Sequence, residues 1–539
     1  MFDPRHVSAF KRLSTLVLVS VTFLACGSSS AGLEATRSEN AAQATEPTEP
    51  DPATTETVDT AVAPTSPQET DPPATDPPET DPPETDPPET DPPETDPPAV
   101  DPTEMMDLPG TQIPLDGPFP YDPNKPAQEF DGLMVATIED LVQWWTDEMP
   151  RVFGQEYIPL EGGVFPAYPD REDYPSPGCF DSYEEIAGNG FYCPRGDYIV
   201  WDDANYALPN YEDHGSGAIT GLMSHEWGHA IQARTGVFDI VPELTTVIVE
   251  LQADCYSGAW FAHIARGESD LINFSDADIR SGLIDVVLSA DPVGTSPDDD
   301  GAHGAGFDRV AAFQEGFDLG AETCAGYPDS PPPITEFGFT EEELSEDEDP
   351  GDLTYDELVE LFPVDLNFFW QSVVPDFTPL TLQPFDGGAP ACGSVNMEIN
   401  TNPLALFCPD NSTVYMDQVS TQAALEQYGD FAPAYLLATA WADAAQLLTG
   451  STLSGEPRVL FNDCLAGVWA ASLPTQFVEG EERALAISPG DLDEAVATVI
   501  LLADDTADED LRGDSFVKVQ AFRTGVLSGT EACQATFGG

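Results

Sequence analysis

The chain repeats itself, and the repeat limits its fold more than any other feature. CPRGDYIVWD from Cys193 matches CPDNSTVYMD from Cys408, each reaching an Asp at its end, Asp202 and Asp417. ITGLMSHEWGHAIQARTG (219–236) then matches PAYLLATAWADAAQLLTG (433–450), and ADCYSGAW (253–260) matches NDCLAGVW (462–469). FDRVAAFQEGF (307–317) closes the first set and FVKVQAFRTGV (516–526) the second. The order is the same throughout, and Cys255–Cys324 and Cys464–Cys533 share one separation of 69 residues. Self-similarity of this kind is read before any site. It predicts two copies of one domain, at 129–329 and 351–539, joined by a proline-rich, acidic linker at 330–350. Each copy is expected to fold as its own unit.

Within the first copy the pattern is mainly helical, an α+β class with little strand. The apolar set at 135, 138, 141, 142, 145 and 149 lies on one helical face. YIVW (198–201) reads as a short strand. Helices are expected at 217–234, stopped by Gly236, and at 242–266, with Pro242 in the first turn. Two more are expected at 276–289 and 305–319.

The region before the copies has a different character. Arg5, Lys11 and Arg12 precede an apolar run from Leu13 to Ala25, shorter than the roughly 20 residues that cross a bilayer as a helix. The run ends in FLACGSS, which resembles a bacterial lipoprotein processing site. Residues 1–26 are therefore expected to be a signal ending at a lipidated Cys26, with an ordinary secreted protein as the alternative. Residues 27–128 carry little apolar material, and 71–98 repeat DPPET-type units. Such a segment cannot bury enough surface to offset backbone ordering. Its prolines favour an extended form rising about 3.1 Å per residue, so it reads as a disordered stalk. The expected location is the cell envelope, anchored by lipid to a membrane or the cell surface.

Charge narrows the partners. With 98 Asp plus Glu against 17 Lys plus Arg, the chain is a poor binder of nucleic acid or of an anionic membrane through its folded part. No nucleotide-binding loop or basic groove appears. Nothing in the sequence specifies an oligomeric state.

HEWGH at 225–229 carries the chemistry. His225 and His229 are four apart, so a helix puts both on one face, where the two imidazoles can share one zinc ion. Glu226 then stands beside the metal as a general base. The third ligand is read as Glu250 of ELQAD, on the next helix, since two His and one Glu form a common catalytic zinc set. Asp254, one turn further, is placed to accept the free ring proton of a ligand His. His303, in the glycine-rich loop DDDGAHGAGF, is a candidate to stabilise the oxyanion of the reaction, weighed against a structural loop role. His214 and His263 read as a loop or capping residue and as helix surface or core. The second copy has Thr439, Ala440, Asp443 and Val459 where the first has His225, Glu226, His229 and Glu250, and it contains no His. It reads as a catalytically inactive copy, although Asp463 remains at the place of Asp254.

The ordered set Tyr192-Cys193-Pro194, Asp202, SHEWGHAIQ (224–232), ELQADCYSGAW (250–260), His303-Gly304, Arg309-Val310 and FQEGF (313–317) resembles the bacterial neutral zinc metallopeptidase family. The resemblance covers the first copy nearly end to end and the second in degraded form. The family commonly has a second His after the metal-binding pair, where this chain has Ala230. The resemblance implies a zincin-like fold, a zinc ion and hydrolysis of a protein or peptide substrate. The alternatives are a non-catalytic surface binding or scaffold protein with a vestigial site, and a zinc hydrolase acting on a non-peptide amide.

Nine Cys are present. With Cys26 lipidated, eight remain, and an even number in an exported chain suggests disulfides. The matched spacing of the copies favours Cys179–Cys193, Cys255–Cys324, Cys392–Cys408 and Cys464–Cys533, with free buried thiols as the alternative.

Overall fold

A computed structural model describes residues 118–175, 177–240, 244–299, 301–335, 339, 353–387, 390–393, 405–475, 483, 485–501 and 515–538. Cys26, residues 27–117 of the expected stalk and most of the linker lie outside them; residues 118–128, expected as stalk, instead belong to the folded part, with Phe119 in the core and Lys125 buried between Asp131 and Asp203. The first half opens with helix α1 (Asp131–Phe153), followed by strands β1 (Gly163–Ala167), β2 (Gly190–Cys193) and β3 (Tyr198–Asp202). Helices α2 (Leu208–His214), α3 (Ser216–Thr235), α4 (Thr246–Ala265), α5 (Asp276–Leu288) and α6 (Gly306–Leu319) complete it. The second half runs α7 (Tyr355–Val373), β4 (Thr381–Phe385), β5 (Ala405–Cys408), β6 (Thr413–Asp417), α8 (Gln418–Tyr428), α9 (Phe431–Leu448), α10 (Glu456–Ala470), α11 (Asp491–Leu501) and α12 (Ser515–Thr536). The protein is mainly helical, and among the described residues no helix is long and apolar enough to cross a membrane.

Each half holds one three-stranded sheet with the same topology. β3 lies between β1, parallel to it, and β2, antiparallel to it, and β6 lies between β4 and β5 in the same way. YIVW extends one residue to Asp202, whose carboxylate accepts the amides of Ala204 and Asn205 and turns the chain out of the strand. β1 and β2 carry no sequence pattern that predicts them. GVFPA has no alternation, and its proline is tolerated because β1 is an edge strand.

α3 ends at Gly236, in the left-handed region at φ 81° with its N–H on the Gln232 carbonyl. It is buried on nearly every face, so it packs as a core helix. α4 starts later than the sequence suggests. Thr245 is extended (φ −70°, ψ 151°) and the helix begins at Thr246, so the expected start at Pro242 is corrected. Two β-branched threonines favour the extended entry over another helical turn.

The expectation that each half folds as its own unit also changes. A single apolar cluster runs through both, with Phe307, Val310 and Phe313 of α6 in the same core as Phe516, Val519 and Phe522 of α12. Phe307 meets the Phe522 ring edge-on, and Gln314 donates to the Phe516 carbonyl at 2.7 Å. The apolar residues of α6 exceed what one side of the helix needs, a surplus that a sequence cannot assign to a partner element.

Four disulfides are present: Cys179–Cys193, Cys255–Cys324, Cys392–Cys408 and Cys464–Cys533. All lie within one half or the other.

Candidate metal centre

α3 and α4 pack closely because Gly228 leaves no side chain between them. A Cβ there would lie 2.9 Å from the Ala253 Cα. That approach sets His225 and His229 of α3 against Glu250 of α4. One ligating atom from each of the three residues falls within 4.8 Å of the others. The Glu250 Oε2 is 3.2 Å from His225 Nε2 and 3.3 Å from His229 Nε2. Four-coordinate zinc, with ligand bonds near 2.0 Å, places neighbouring donors roughly 3.3 Å apart, so the separations fit that ion.

The far nitrogen of each ring is tethered. His225 Nδ1 donates to Asp254 Oδ1 at 2.7 Å, and His229 Nδ1 donates to Gln232 Oε1 at 2.8 Å. With a metal bound on the Nε2 side, these two acceptors would hold each ring in the Nδ1–H tautomer that leaves Nε2 free to ligate. Gln232 is fixed in turn, its amide donating to the Val249 carbonyl and to Gln252 Oε1. Gln252 then donates to the Cys324 carbonyl at 2.9 Å.

Asp254 is clamped from the other side by Arg309 of α6, with Nε on Oδ2 at 2.8 Å and Nη2 on Oδ1 at 2.9 Å. α6 lies close enough for this because Gly258 is bare: a Cβ there would sit 1.9 Å from the Phe313 carbonyl oxygen. Burial raises the Asp254 carboxyl, but Arg309 and His225 outweigh it and hold the group below its ordinary range. Burial likewise raises Glu250, and the facing imidazoles drive it well below the usual value. The centre is thus a part-buried, compensated charge cluster, with carboxylates kept ionised by cations and by the rings in their charged form.

Glu226 is buried on the same helix, and its Oε2 accepts the Tyr192 amide of edge strand β2 at 2.6 Å. Burial raises its carboxyl and the two imidazoles oppose this, with a net upward shift. A carboxylate with a raised pKa is a stronger proton acceptor than a free one.

His303 lies in the loop before α6. Its amide donates to Asp291 Oδ2 at 2.6 Å, and its Nδ1 is 3.4 Å from Asp291 Oδ1. Its side chain is 38 % exposed; burial lowers its pKa, but the Asp291 carboxylate, and after it Glu250, outweigh this and raise it. His263 lies elsewhere, between Asp140 and Glu268, and His214 ends α2.

Pattern reading gave no role to Arg309, Gln232 or the Tyr206–Asp285 pair. Tyr206 donates to Asp285 Oδ1 at 3.0 Å, and burial pushes the Asp285 carboxyl up to about 7. Asp285 Oδ2 would lie 3.0 Å from a Cβ at Gly221, one turn before His225. A signal existed for Arg309. In so acidic a chain, an arginine within the apolar run FDRVAAF needs a buried carboxylate partner.

The corresponding place in the second half holds different chemistry. Asp443 Oδ1 takes Arg458 Nε at 2.5 Å and Asn462 Nδ2 at 3.1 Å. Tyr435 donates to Asp463 Oδ1 at 2.6 Å, and Lys518 Nζ lies 4.0 Å from Asp463 Oδ2.

Residues 178–327 match the model of a family described as "Putative neutral zinc metallopeptidase". The chain is similar to "Uncharacterized protein YpfJ" of Escherichia coli strain K12, 26% identical over 212 residues, which covers 36% of this chain and 69% of YpfJ. It is also similar to "Uncharacterized protein Rv2575" of Mycobacterium tuberculosis, 27% identical over 165 residues, covering 26% of this chain and 55% of that protein. No solved structure matches significantly.

Proposed function

We propose that the chain is an exported zinc peptidase of zincin-like fold, with the metal on His225, His229 and Glu250 and with Glu226 as general base. The carrying observation is the convergence of three ligating atoms within 4.8 Å, each ring's other nitrogen tied to a fixed acceptor. The match of residues 178–327 to a zinc metallopeptidase model supports the same reading. When bound, zinc acts as a Lewis acid that polarises a carbonyl and acidifies water. Glu226 takes the proton of the attacking water and passes it to the leaving amine. Asp254, clamped by Arg309, stabilises the orientation of His225. His303, whose side chain is partly exposed, is the candidate to donate to the oxyanion of the substrate carbonyl.

The second half is read as a tandem copy that has lost this chemistry. Asp443, at the sequence position of His229, is paired there with Arg458, and the matching sheet topology supports common descent of the halves. Metal analysis of the whole chain is expected to return one zinc, and Glu250→Ala to weaken its binding by at least about 100-fold, since a ligand rather than a supporting group is lost. Two zinc ions per chain, or unchanged affinity in Glu250→Ala, would refute this assignment. Zinc binding without turnover of any protein or peptide would favour the scaffold reading.

The lipid anchor at Cys26 is part of the same proposal. Cys26→Ser is expected to move the protein from the membrane fraction to the soluble fraction or to leave its leader uncleaved. An unmodified, fully soluble parent protein after export would exclude the anchor.

A further inference from the structure

α6 carries Arg309, and so the clamp on Asp254, yet its own sequence provides no cap. Ala305 occupies the N-cap position and offers no side-chain acceptor. The first-turn amides of a helix need acceptors, and a carboxylate there also meets the positive end of the helix dipole. The carboxylate comes from the other half of the chain. Asp493 of α11, 186 residues away, accepts the Phe307 amide on Oδ1 at 2.7 Å and also takes the Gly306 amide.

A second carboxylate holds the preceding loop. Asp291 accepts the amides of His303 and Gly304 at 2.6 and 2.8 Å. Four of the five amides from 303 to 307 are therefore held by two acids, one from each half. From Phe307 the path to the metal centre is short: Arg309 is two residues on, its guanidinium grips Asp254, and Asp254 holds His225 Nδ1.

We infer that Asp493 is a positioning residue for the metal centre, and that the second half, which lacks the His–His–Glu set, serves the first by setting the N-terminus of α6. This rests on the zinc reading above. It gives the second half a reason to persist without the His–His–Glu set, since its Asp493 holds the Gly306 and Phe307 amides at the start of the helix that carries Arg309. Asp493 touches neither substrate nor metal; it acts through the backbone of residues 306 and 307.

The experiment uses the whole chain, with zinc affinity measured by competition against a chromophoric chelator and kcat and KM measured on a peptide the parent cleaves. Asp493→Ala is expected to weaken zinc binding about 10-fold, the low end for groups that orient ligands, and to lower kcat with KM little changed. Asp493→Asn keeps an oxygen acceptor in place and is expected to stay close to the parent in both. Parental zinc affinity in Asp493→Ala overturns the inference.

A second measurement needs no variant. Coupling between sites is reciprocal, so stripping zinc from the parent is expected to speed deuterium uptake both at 303–309 and at 488–493. Unchanged uptake at 488–493 also overturns the inference. A parent that binds no zinc sinks the metal reading instead, so the two failures are distinguishable.

Discussion

Glu226→Gln is expected to bind zinc as the parent does and to lower kcat about 10³-fold, the middle of the range for removal of a general base. The substitution is nearly isosteric, and the geometry indicates that it is tolerated. Glu226 is buried and its Oε2 accepts the Tyr192 amide. A Gln carbonyl oxygen can accept the same bond, so β2 need not shift relative to α3. Glu226 lies outside the converging ligand set of His225, His229 and Glu250, so metal affinity has no direct reason to fall. What disappears is the ability to hold a proton between attack and departure of the amine. Metal content and single-turnover kinetics on the same preparation check both halves of this expectation. Turnover within tenfold of the parent would remove Glu226 from the mechanism and direct attention to His303, the other titratable group beside Glu250.

The sequence made the centre legible where residues recur at helical spacing. His225 and His229 at i, i+4 need only the helix to share a face, and Glu250 with Asp254 repeats that spacing on the next helix. What α3 needs to sit against α4 was partly legible too, since Gly228 stands between the two histidines. Contacts with no periodicity were illegible. Arg309 reaches Asp254 across 55 residues and Asp493 reaches Phe307 across 186, and neither leaves a local pattern. Strands β1 and β2 were lost for another reason. Five- and four-residue edge strands lack the length that alternation needs to stand out, and β1 carries a proline. The union of the halves was lost because an apolar residue on α6 looks the same whether it faces its own half or the other.

The disulfides are expected to separate stability from metal binding. Cys255–Cys324 and Cys464–Cys533 close loops of the same length, 69 residues. Each should therefore contribute a similar chain-entropy stabilisation, roughly 4 kcal/mol. Replacing either pair by Ala is expected to lower the unfolding free energy by up to about that amount, read from denaturant midpoints at constant slope. The effects on zinc should differ. Cys255 follows Asp254 directly on α4, and the Cys324 carbonyl accepts Gln252, whose side-chain oxygen accepts Gln232, which in turn accepts His229 Nδ1. Losing the Cys255–Cys324 bond frees the backbone that ends this relay, so the orientation of both His229 and Glu250 loosens together. Zinc affinity in the Cys255→Ala/Cys324→Ala protein is expected to fall about 10-fold or more while the chain is still folded. In the second half the matching relay runs from Gln446 to Asn462 and on to Asp443, and it ends on none of the proposed ligands. The Cys464→Ala/Cys533→Ala protein is expected to lose stability but keep zinc affinity below its unfolding midpoint. Equal losses of zinc affinity in the two variants would mean that the metal centre reports only global stability, and the relay from Cys324 to His229 would then carry no separate function.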